Sequence, residues 1–528
     1  MGAVREAATY AAFLRQFPRF FANALTLDEA KAAVADRLAH REENFIRMFD
    51  EWFHGHPSSP YRPLLDMAGC GPGDIRALVR DRGVEGALED LREAGVYYTF
   101  EEYKGREPVV RDGRELVIEE WRFDNPSQRY FYRASTSGST GRPSRIQTGL
   151  PHLEIMSQHR LLIFDAFGAL GQPFSVWRPP LPSGSGMNNM LRMSRIGHPA
   201  DRWFTPLVPG HYRPSWKYRV ATMAAVLAAR ASGVRVEAPE EVALEDALVI
   251  AQYLAGTVDR QGSAVMSTTV SCALRVALAA RDAGIDLAGC RFLIAGEPAT
   301  SAKVKGIEAS GAGWFSDYGA AEMGRVALGC PNPEHHTDMH VTTDTAAIIR
   351  YPRRVPRSEE VVQSLHVTSL VPTMPKMLLN LELDDFAEMP ERSCGCRLEA
   401  IGLGTHLRGV RSFRKLTGEG VTLVGSDMVD ILERVLPERF GGSPLSYQLV
   451  EGEDDRGFTR LDLFVSPEVP AGDEDILHGL YEALDRTSVA AGMARGYWES
   501  AGTIRVVRQE PRVSARGKQI PLQATRPE

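Results

Sequence analysis

Ten consecutive residues constrain this chain more than any others: Ser135-Thr136-Ser137-Gly138-Ser139-Thr140-Gly141-Arg142-Pro143-Ser144. The aromatic run Tyr130-Phe131-Tyr132 just before them favours a strand. The apolar pattern from Leu153 to Leu170 just after them predicts a helix. Alone, a Ser/Thr/Gly run would be a flexible linker. Held between a strand and a helix, it reads as a ligand loop. Its glycines let the backbone approach a ligand closely, and its hydroxyls and free N–H groups are donors for phosphate. The helix N-terminus aimed at the loop also favours an anion. The expectation is a nucleotide phosphate loop, and not a Walker loop, because the G-x-x-x-x-G-K-[ST] spacing is absent.

At 528 residues the chain exceeds one ordinary core, so at least two domains are expected. Hydrophobic residues make up 43% and charged residues 24%, the balance of a soluble globular protein. The net charge of −7 and the interleaving of Arg with acids point away from nucleic acid. Apolar runs are too short to span a membrane; Met223 to Ala229 is broken by Arg230. Met1-Gly2-Ala3-Val4-Arg5-Glu6 leads into no apolar segment, so a cytoplasmic protein is expected.

Residues 1–100 read as a helical N-terminal extension, with helical patterns from Leu27 to Trp52 and from Gly73 to Ala94. Residues 101–410 read as a large α/β domain. There, short apolar strands such as Ala264 to Thr269 and Arg291 to Ala295 alternate with helical patterns, which predicts a mostly parallel sheet. Ligands of such sheets bind beyond the C-terminal strand ends, where Gly296-Glu297-Pro298 falls. Residues 411–528 read as a small α+β domain: a helix from Asp427 to Leu436 capped by Ser426, strands Leu461 to Val465 and Thr503 to Val507, and a helix from Asp473 to Thr487.

Thr136-Ser137-Gly138-Ser139-Thr140-Gly141-Arg142-Pro143 resembles the phosphate loop of the adenylate-forming superfamily, which comprises acyl-CoA synthetases, adenylation domains and luciferases. The superfamily's lysine is replaced by Ser144-Arg145. The finer resemblance is to the phenylacetate–CoA ligase branch. Ser59-Pro60-Tyr61-Arg62, Gly296-Glu297-Pro298, Asp317-Tyr318-Gly319-Ala320-Ala321-Glu322 and Arg516-Gly517-Lys518 resemble that branch's segments, in the same order.

The resemblance implies a large domain under a mobile C-terminal lid, with ATP and Mg²⁺ as cofactors. Making an acyl adenylate brings a carboxylate onto the α-phosphorus of ATP, so charge must be neutralised and the atoms held in line. By resemblance, residues 136–141 hold the β- and γ-phosphates, Glu322 holds Mg²⁺, and Tyr318 stacks on adenine opposite Gly296-Glu297-Pro298. Lys518 is the mobile catalytic lysine; a compact ammonium on a flexible stem suits that task. Asp385 aligns with the ribose-binding aspartate, with Asp384 as the fallback, while the superfamily's neighbouring Tyr and Arg are missing. Arg411 aligns with the hinge arginine, but Ser412-Phe413-Arg414-Lys415 departs from the hinge pattern. Adenylation is therefore expected, and the second half-reaction is left open.

Cys330 precedes His335, His336 and His340, and Cys394-Gly395-Cys396 follows downstream. Two short Cys/His clusters suggest structural zinc. Cys330, His340, Cys394 and Cys396 would form a Cys₃His site, with His336 as the alternative nitrogen ligand; some relatives in the branch carry a similar set. The competing reading is ordinary buried cysteines and surface histidines, and Cys70, Cys272 and Cys290 are read as small core residues.

The leading expectation is an AMP-forming ligase that activates a small acid, aromatic acids among the candidates, as acyl-AMP and releases pyrophosphate. The acceptor would be coenzyme A or another nucleophile, and a homodimer is the assembly to look for. A second expectation within the fold is an ATP-dependent diazotase of secondary metabolism, activating nitrite to act on an aryl amine. A third is a non-catalytic nucleotide-binding protein, against which Glu322 and Lys518 argue.

Overall fold

The computed structural model describes residues 3–135, 145–207, 215–244, 246–296, 299, 301–354, 361–412, 415–418, 421–424, 428, 431–442, 446–453, 459–487, 495–496, 498–511 and 522–524. The strands begin with two hairpins: β1 (Val109–Arg111) with β2 (Arg114–Leu116), and β3 (Tyr132–Ser135) with β4 (Arg145–Thr148). The parallel set follows: β5 (Phe174–Trp177), β6 (Arg202–Leu207), β7 (Pro239–Ala243), β8 (Ala264–Thr268), β9 (Cys290–Ile294) and β10 (Gly313–Ala320). Next come β11 (Gly324–Gly329), β12 (Met339–Val341), β13 (Ala346–Arg354), β14 (Val361–Ser369), β15 (Leu381–Glu388) and β16 (His406–Ser412). These last twelve strands form one sheet in the order β13-β14-β15-β16-β12-β11-β10-β9-β8-β5-β6-β7.

The sheet has two halves. From β7 to β10 every neighbouring pair is parallel, and from β10 to β13 every pair is antiparallel. The expectation of a mostly parallel sheet therefore holds only up to β10. Parallel neighbours need a crossover, commonly a helix, whereas antiparallel ones can be joined by a turn. Between helix Ser301–Glu308 and helix Arg397–Ala400 no helix occurs among the described residues, and β10 turns directly into β11. The alternation of strand and helix stops at Glu308.

Local sequence accounts for the elements. All five residues of β8 are buried, as suits a strand covered on both faces. Thr269 then ends the strand and caps helix Val270–Asp282, accepting from the Cys272 N–H at 3.3 Å. The first hundred residues pack into the sheet's own cores. Phe13 and Phe17 lie with helices Leu150–Ala166 and Gly184–Arg195, the Phe13 ring 5.5 Å from that of Tyr132. Phe45, Phe49, Phe53 and Tyr61 lie with β11, β13, β14 and β15 on the antiparallel half. A fully buried ring of this kind contributes about 2–3 kcal/mol. Tyr61 belongs to the Ser59-Pro60-Tyr61-Arg62 segment, whose role here is packing: Ser59 Oγ donates to the Phe53 carbonyl at 2.6 Å, and Tyr98 donates to that of Pro60 at 2.5 Å.

The C-terminal region builds a separate sheet. Hairpin β17 (Lys415–Gly418) and β18 (Val421–Val424) precedes β19 (Tyr447–Glu453), β20 (Thr459–Val465), β21 (Ile504–Arg508) and β22 (Leu522–Ala524), and the last four pair in the order β21-β20-β19-β22. Helix Asp473–Thr487 and the helical segments Ile431–Val435 and Leu436–Phe440 cover it through a core of Ile431, Leu432, Leu449, Leu463, Ile476, Leu480 and Trp498. Ser426 lies outside the described residues. The fold is thus α/β, with a large sheet and a small C-terminal α+β unit. Among the described residues no helix is long and apolar enough to cross a membrane.

Candidate active site and candidate metal centre

Strand β10 is the seam of the large sheet, parallel to β9 on one edge and antiparallel to β11 on the other. Its second half carries Asp317, Tyr318 and Gly319, and a bulge falls between Tyr318 and Gly319. Bulges re-aim side chains and are frequent beside active sites. The turn into β11 carries Glu322 and closes on Gly324, whose φ is +83°. A Cβ there would collide with the His152 ring, so both dihedral and space demand glycine.

The bulge aims Tyr318 at the neighbouring region of β15. Its hydroxyl donates to Asp385 Oδ2 at 2.6 Å, and burial followed by the Asp385 charge pushes the phenol well above its usual range. Strand alternation separates the two aspartate candidates. Asp384 is fully buried, whereas Asp385 is half-buried and meets Tyr318. Arg411 stands on β16 opposite Phe386, one position along from the Asp385–Ser412 pair, and is exposed. Tyr318, Asp385 and Arg411 thus share one region of the sheet, although they are far apart in sequence.

Gly296 follows β9 with φ +96°, a conformation that suits glycine. Arg178, just after β5, donates to the carbonyls of Thr268 and Ala295, the latter at 3.2 Å. It therefore binds together the C-terminal ends of β5, β8 and β9, the crevice where open α/β sheets hold ligands. Glu297, Pro298, Lys518 and the loop residues Thr136, Ser137, Gly138, Ser139, Thr140 and Gly141 lie outside the described residues. The foot of that loop is described. The Ser135 N–H donates to the Pro182 carbonyl at 2.8 Å, and the Tyr132 hydroxyl donates to Asn188.

Glu322 is mostly buried, and the Lys104 ammonium stands 3.9 Å from its Oε1, close enough to attract but too far for a hydrogen bond. Lys104 also pairs with Glu120 at 3.2 Å, and Lys376 pairs with Asp124 at 2.6 Å. Together these residues form a buried polar layer beside the turn. A second polar group lies on the other side of β10. Arg160 and Arg192 are each only 3% exposed, and Arg325 pairs with Asp317. Sequence reading does not single out these residues. Arg160 sits in the apolar pattern of helix Leu150–Ala166, and its only signal is a charge on a face that packing must bury.

The cysteine and histidine candidates converge. One ligand atom from each of Cys330, His340, Cys394 and Cys396 lies within 4.8 Å of the others. His340 Nδ1 lies 2.6 Å from the Leu403 carbonyl, so it must carry the proton there. That leaves the Nε2 lone pair facing Cys396 Sγ at 3.2 Å and Cys394 Sγ at 3.6 Å. A second-shell carbonyl that orients the ring in this way is the usual companion of a histidine ligand. A hydrogen bond from the Cys330 thiol draws the Cys396 thiol far below its usual value, towards the thiolate that metals bind. Three sulfurs and one nitrogen fit tetrahedral zinc, with no fifth group required. His336 is elsewhere, its Nε2 2.9 Å from the Ala299 carbonyl. Cys70, Cys272 and Cys290 are buried away from the cluster.

No protein-family model matches this chain, and no curated protein does. Among solved structures, 165 chains match. A 2-hydroxyisobutyryl-CoA ligase in complex with 2-HIB-AMP and CoA, in the thioesterification state, superimposes with a TM-score of 0.54 at 16% identity. The match covers 93% of this chain and 90% of that one. The amide bond synthetase Mcba from Marinactinospora thermotolerans gives 0.39 at 13% identity, over 93% of this chain and 97% of that one. The anthranilate CoA ligase AuaEII in complex with anthranoyl-AMP gives 0.35 at 13%, over 74% and 64%. The first of these carries the fold: along nearly its whole length, this chain has the fold of that 2-hydroxyisobutyryl-CoA ligase.

Proposed function

We propose that this protein is an ATP-dependent, AMP-forming ligase that activates a small acid as its adenylate and then passes it to a nucleophile. The observation that carries the reading is the Tyr318–Asp385 hydrogen bond of 2.6 Å at the seam of the sheet, with Glu322 in the turn that follows. An aromatic face beside a carboxylate is what adenosine needs: a stacking surface for the base and an acceptor for ribose hydroxyls. The same reading puts the loop at 136–141 on the β- and γ-phosphates, Gly296 on the far side of the base, and Arg411 at the hinge to the C-terminal unit.

Each side chain then has a task. Asp385 accepts from the ribose and holds Tyr318 in place. Glu322 would hold Mg²⁺; one carboxylate suffices because phosphate oxygens and water complete the shell. Held there, the ion would supply neutralisation of phosphate charge. Lys518 bridges the acid and the α-phosphate as charge develops between them. Cys330, His340, Cys394 and Cys396 would hold zinc as a closed, structural site. Coenzyme A, amines and carrier thiols are the candidate acceptors.

The test is pyrophosphate release by the full-length protein with ATP, Mg²⁺ and a panel of acids. Release that depends on acid and ATP is expected. In Glu322→Gln the Mg²⁺ concentration for half-maximal rate should rise about tenfold, roughly 1.4 kcal/mol. An unchanged Mg²⁺ dependence would move the metal carboxylate elsewhere. Failure to bind ATP in calorimetry would reject the ligase reading altogether.

A further inference from the structure

Helix Trp216–Ala231 is apolar on two opposite sides. On one side Thr222, Ala225, Val226 and Ala229 are buried. The last three pack into the core that also holds Phe13, Phe17 and Trp203. The Tyr10 hydroxyl donates to the Ala221 carbonyl at 2.6 Å and ties the helix to helix Ala3–Leu14. On the other side stand Trp216, Val220, Met223 and Leu227, each between 37% and 77% exposed. Their spacing of four, three and four residues sets them in one line along the helix, the spacing of a coiled-coil seam. A surface helix needs one apolar face, the one it buries; a second, continuous one marks a contact surface.

The flanks of the line say what fits it. The helix has no acidic residue, and its charges are Lys217, Arg219 and Arg230. Arg230 is engaged within the chain, by the Val236 carbonyl at 2.8 Å and by Glu237 at 3.4 Å. Lys217 and Arg219 are exposed and flank the Trp216 end. Ala224, Ala228 and Ala231 flank the Leu227 end. The line has the same spacing read from either end, so it is self-complementary about a twofold axis, as an isologous contact requires. In an antiparallel pair Trp216 meets Leu227 of the second copy and Val220 meets Met223. The basic end of each helix then lies against the uncharged alanines of the other. A parallel pair would set Lys217 against Lys217 and Arg219 against Arg219, like charge on like charge. The four side chains expose a few hundred Å² on each copy. With the stems of Lys217 and Arg219 and the alanines, two copies reach roughly 1,000 Å², where stable interfaces begin.

We propose that this face of helix Trp216–Ala231 is the interface of a symmetric homodimer, two copies of the line packing antiparallel across a twofold axis. The helix joins β6 to β7 at the edge of the large sheet, away from the seam at β10. The inference does not rest on the ligase reading.

The experiment is sedimentation of the full-length protein over a wide range of concentration. A dimer that dissociates on dilution is expected. Val220→Glu and Met223→Lys, both at exposed positions, should each raise the dimer dissociation constant at least about tenfold, with the circular dichroism of a folded chain. An equimolar mixture of the two variants should recover the dimer, because antiparallel packing sets the two substituted positions against each other. A parallel pair sets 220 on 220 and 223 on 223, so a mixture that stays monomeric overturns the antiparallel arrangement. A wild-type monomer at every concentration, or a dimer indifferent to both substitutions, overturns the interface. So does a monomer that floats with vesicles of phosphatidylserine and phosphatidylcholine and loses them in Trp216→Gln, which would make the face a membrane contact. Mass is read without ATP or acid, so failure here leaves the ligase reading standing, and failure of that reading leaves the dimer standing.

Discussion

The metal centre and the arginine cluster are mirror images in chemistry. Around Cys330, His340, Cys394 and Cys396 the converging atoms are acceptors: three sulfurs and a nitrogen lone pair whose ring is turned by the Leu403 carbonyl. Around Arg160 and Arg192 the converging atoms are donors, and they share a single amide oxygen. Each group is largely buried, with Cys394 half-buried, and burial of one kind of group favours a partner of opposite character. The first suits a cation and the second an acceptor. The metal side also separates stability from chemistry. Zinc closed on four ligands has no open position for substrate, so its binding energy goes into the fold.

The largest effect should come from breaking the metal side of this contrast. Protein purified without chelator should contain about one zinc per chain by elemental analysis. Cys394→Ser with Cys396→Ser should remove the metal and cost more than about 4 kcal/mol of stability. Pyrophosphate release per folded molecule should remain near wild type. Loss of activity in a folded double variant would make the ion catalytic and erase the distinction.

Lys518→Ala should give the opposite signature. Removing a charge-assisted contact made mainly in the transition state should slow pyrophosphate release a hundred- to thousandfold, roughly 3–4 kcal/mol. The melting temperature and ATP affinity should stay close to wild type. A wild-type rate would assign the mobile cation to another residue.

The smallest effect sharpens the arginine side through pH. His152, facing His159 and Arg192, is pulled from 6.5 to about 3, chiefly by burial. His366, facing Arg92 and Arg353, is likewise pulled from 6.5 to about 3. Both folded values lie below the unfolded one. The unfolded chain therefore binds protons that the folded chain refuses, and stability falls as pH drops from about 6.5 towards 3. The slope is about 1.4 kcal/mol per pH unit for each histidine. Denaturant titrations between pH 7 and pH 4 should show it, and His152→Gln should flatten it by one proton. An unchanged slope in that variant would mean that His152 is charged beside the arginines.

Much of the fold was legible because it rests on local rules. Thr269 marks a strand end and a helix cap, Gly296 a turn with positive φ, and Asp473 to Thr487 an amphipathic helix, each within a few residues of where the structure has it. The antiparallel half of the sheet was not legible, because strands after β10 pair through turns and long-range register rather than through a repeating strand–helix pattern. Residue types alone also nominated both Asp384 and Asp385, and both His336 and His340. Strand alternation and the bulge at Tyr318 set Asp385 rather than Asp384 against the Tyr318 hydroxyl, and the pairing of β12 with β16 sets His340 rather than His336 beside the cysteines.

The arginine cluster shows where sequence stops. By itself the chain nominated a phosphate-type loop, the segment Asp317 to Glu322 and a set of zinc-type ligands, because each depends on residue chemistry at short spacing. That Arg160, Arg192 and Arg325 would meet with only Asp317 among them was decided by tertiary structure alone. Their positions span three elements with no common spacing, and only packing helix Leu150–Ala166 against β11 and against helix Gly184–Arg195 brings like charges together against their mutual repulsion.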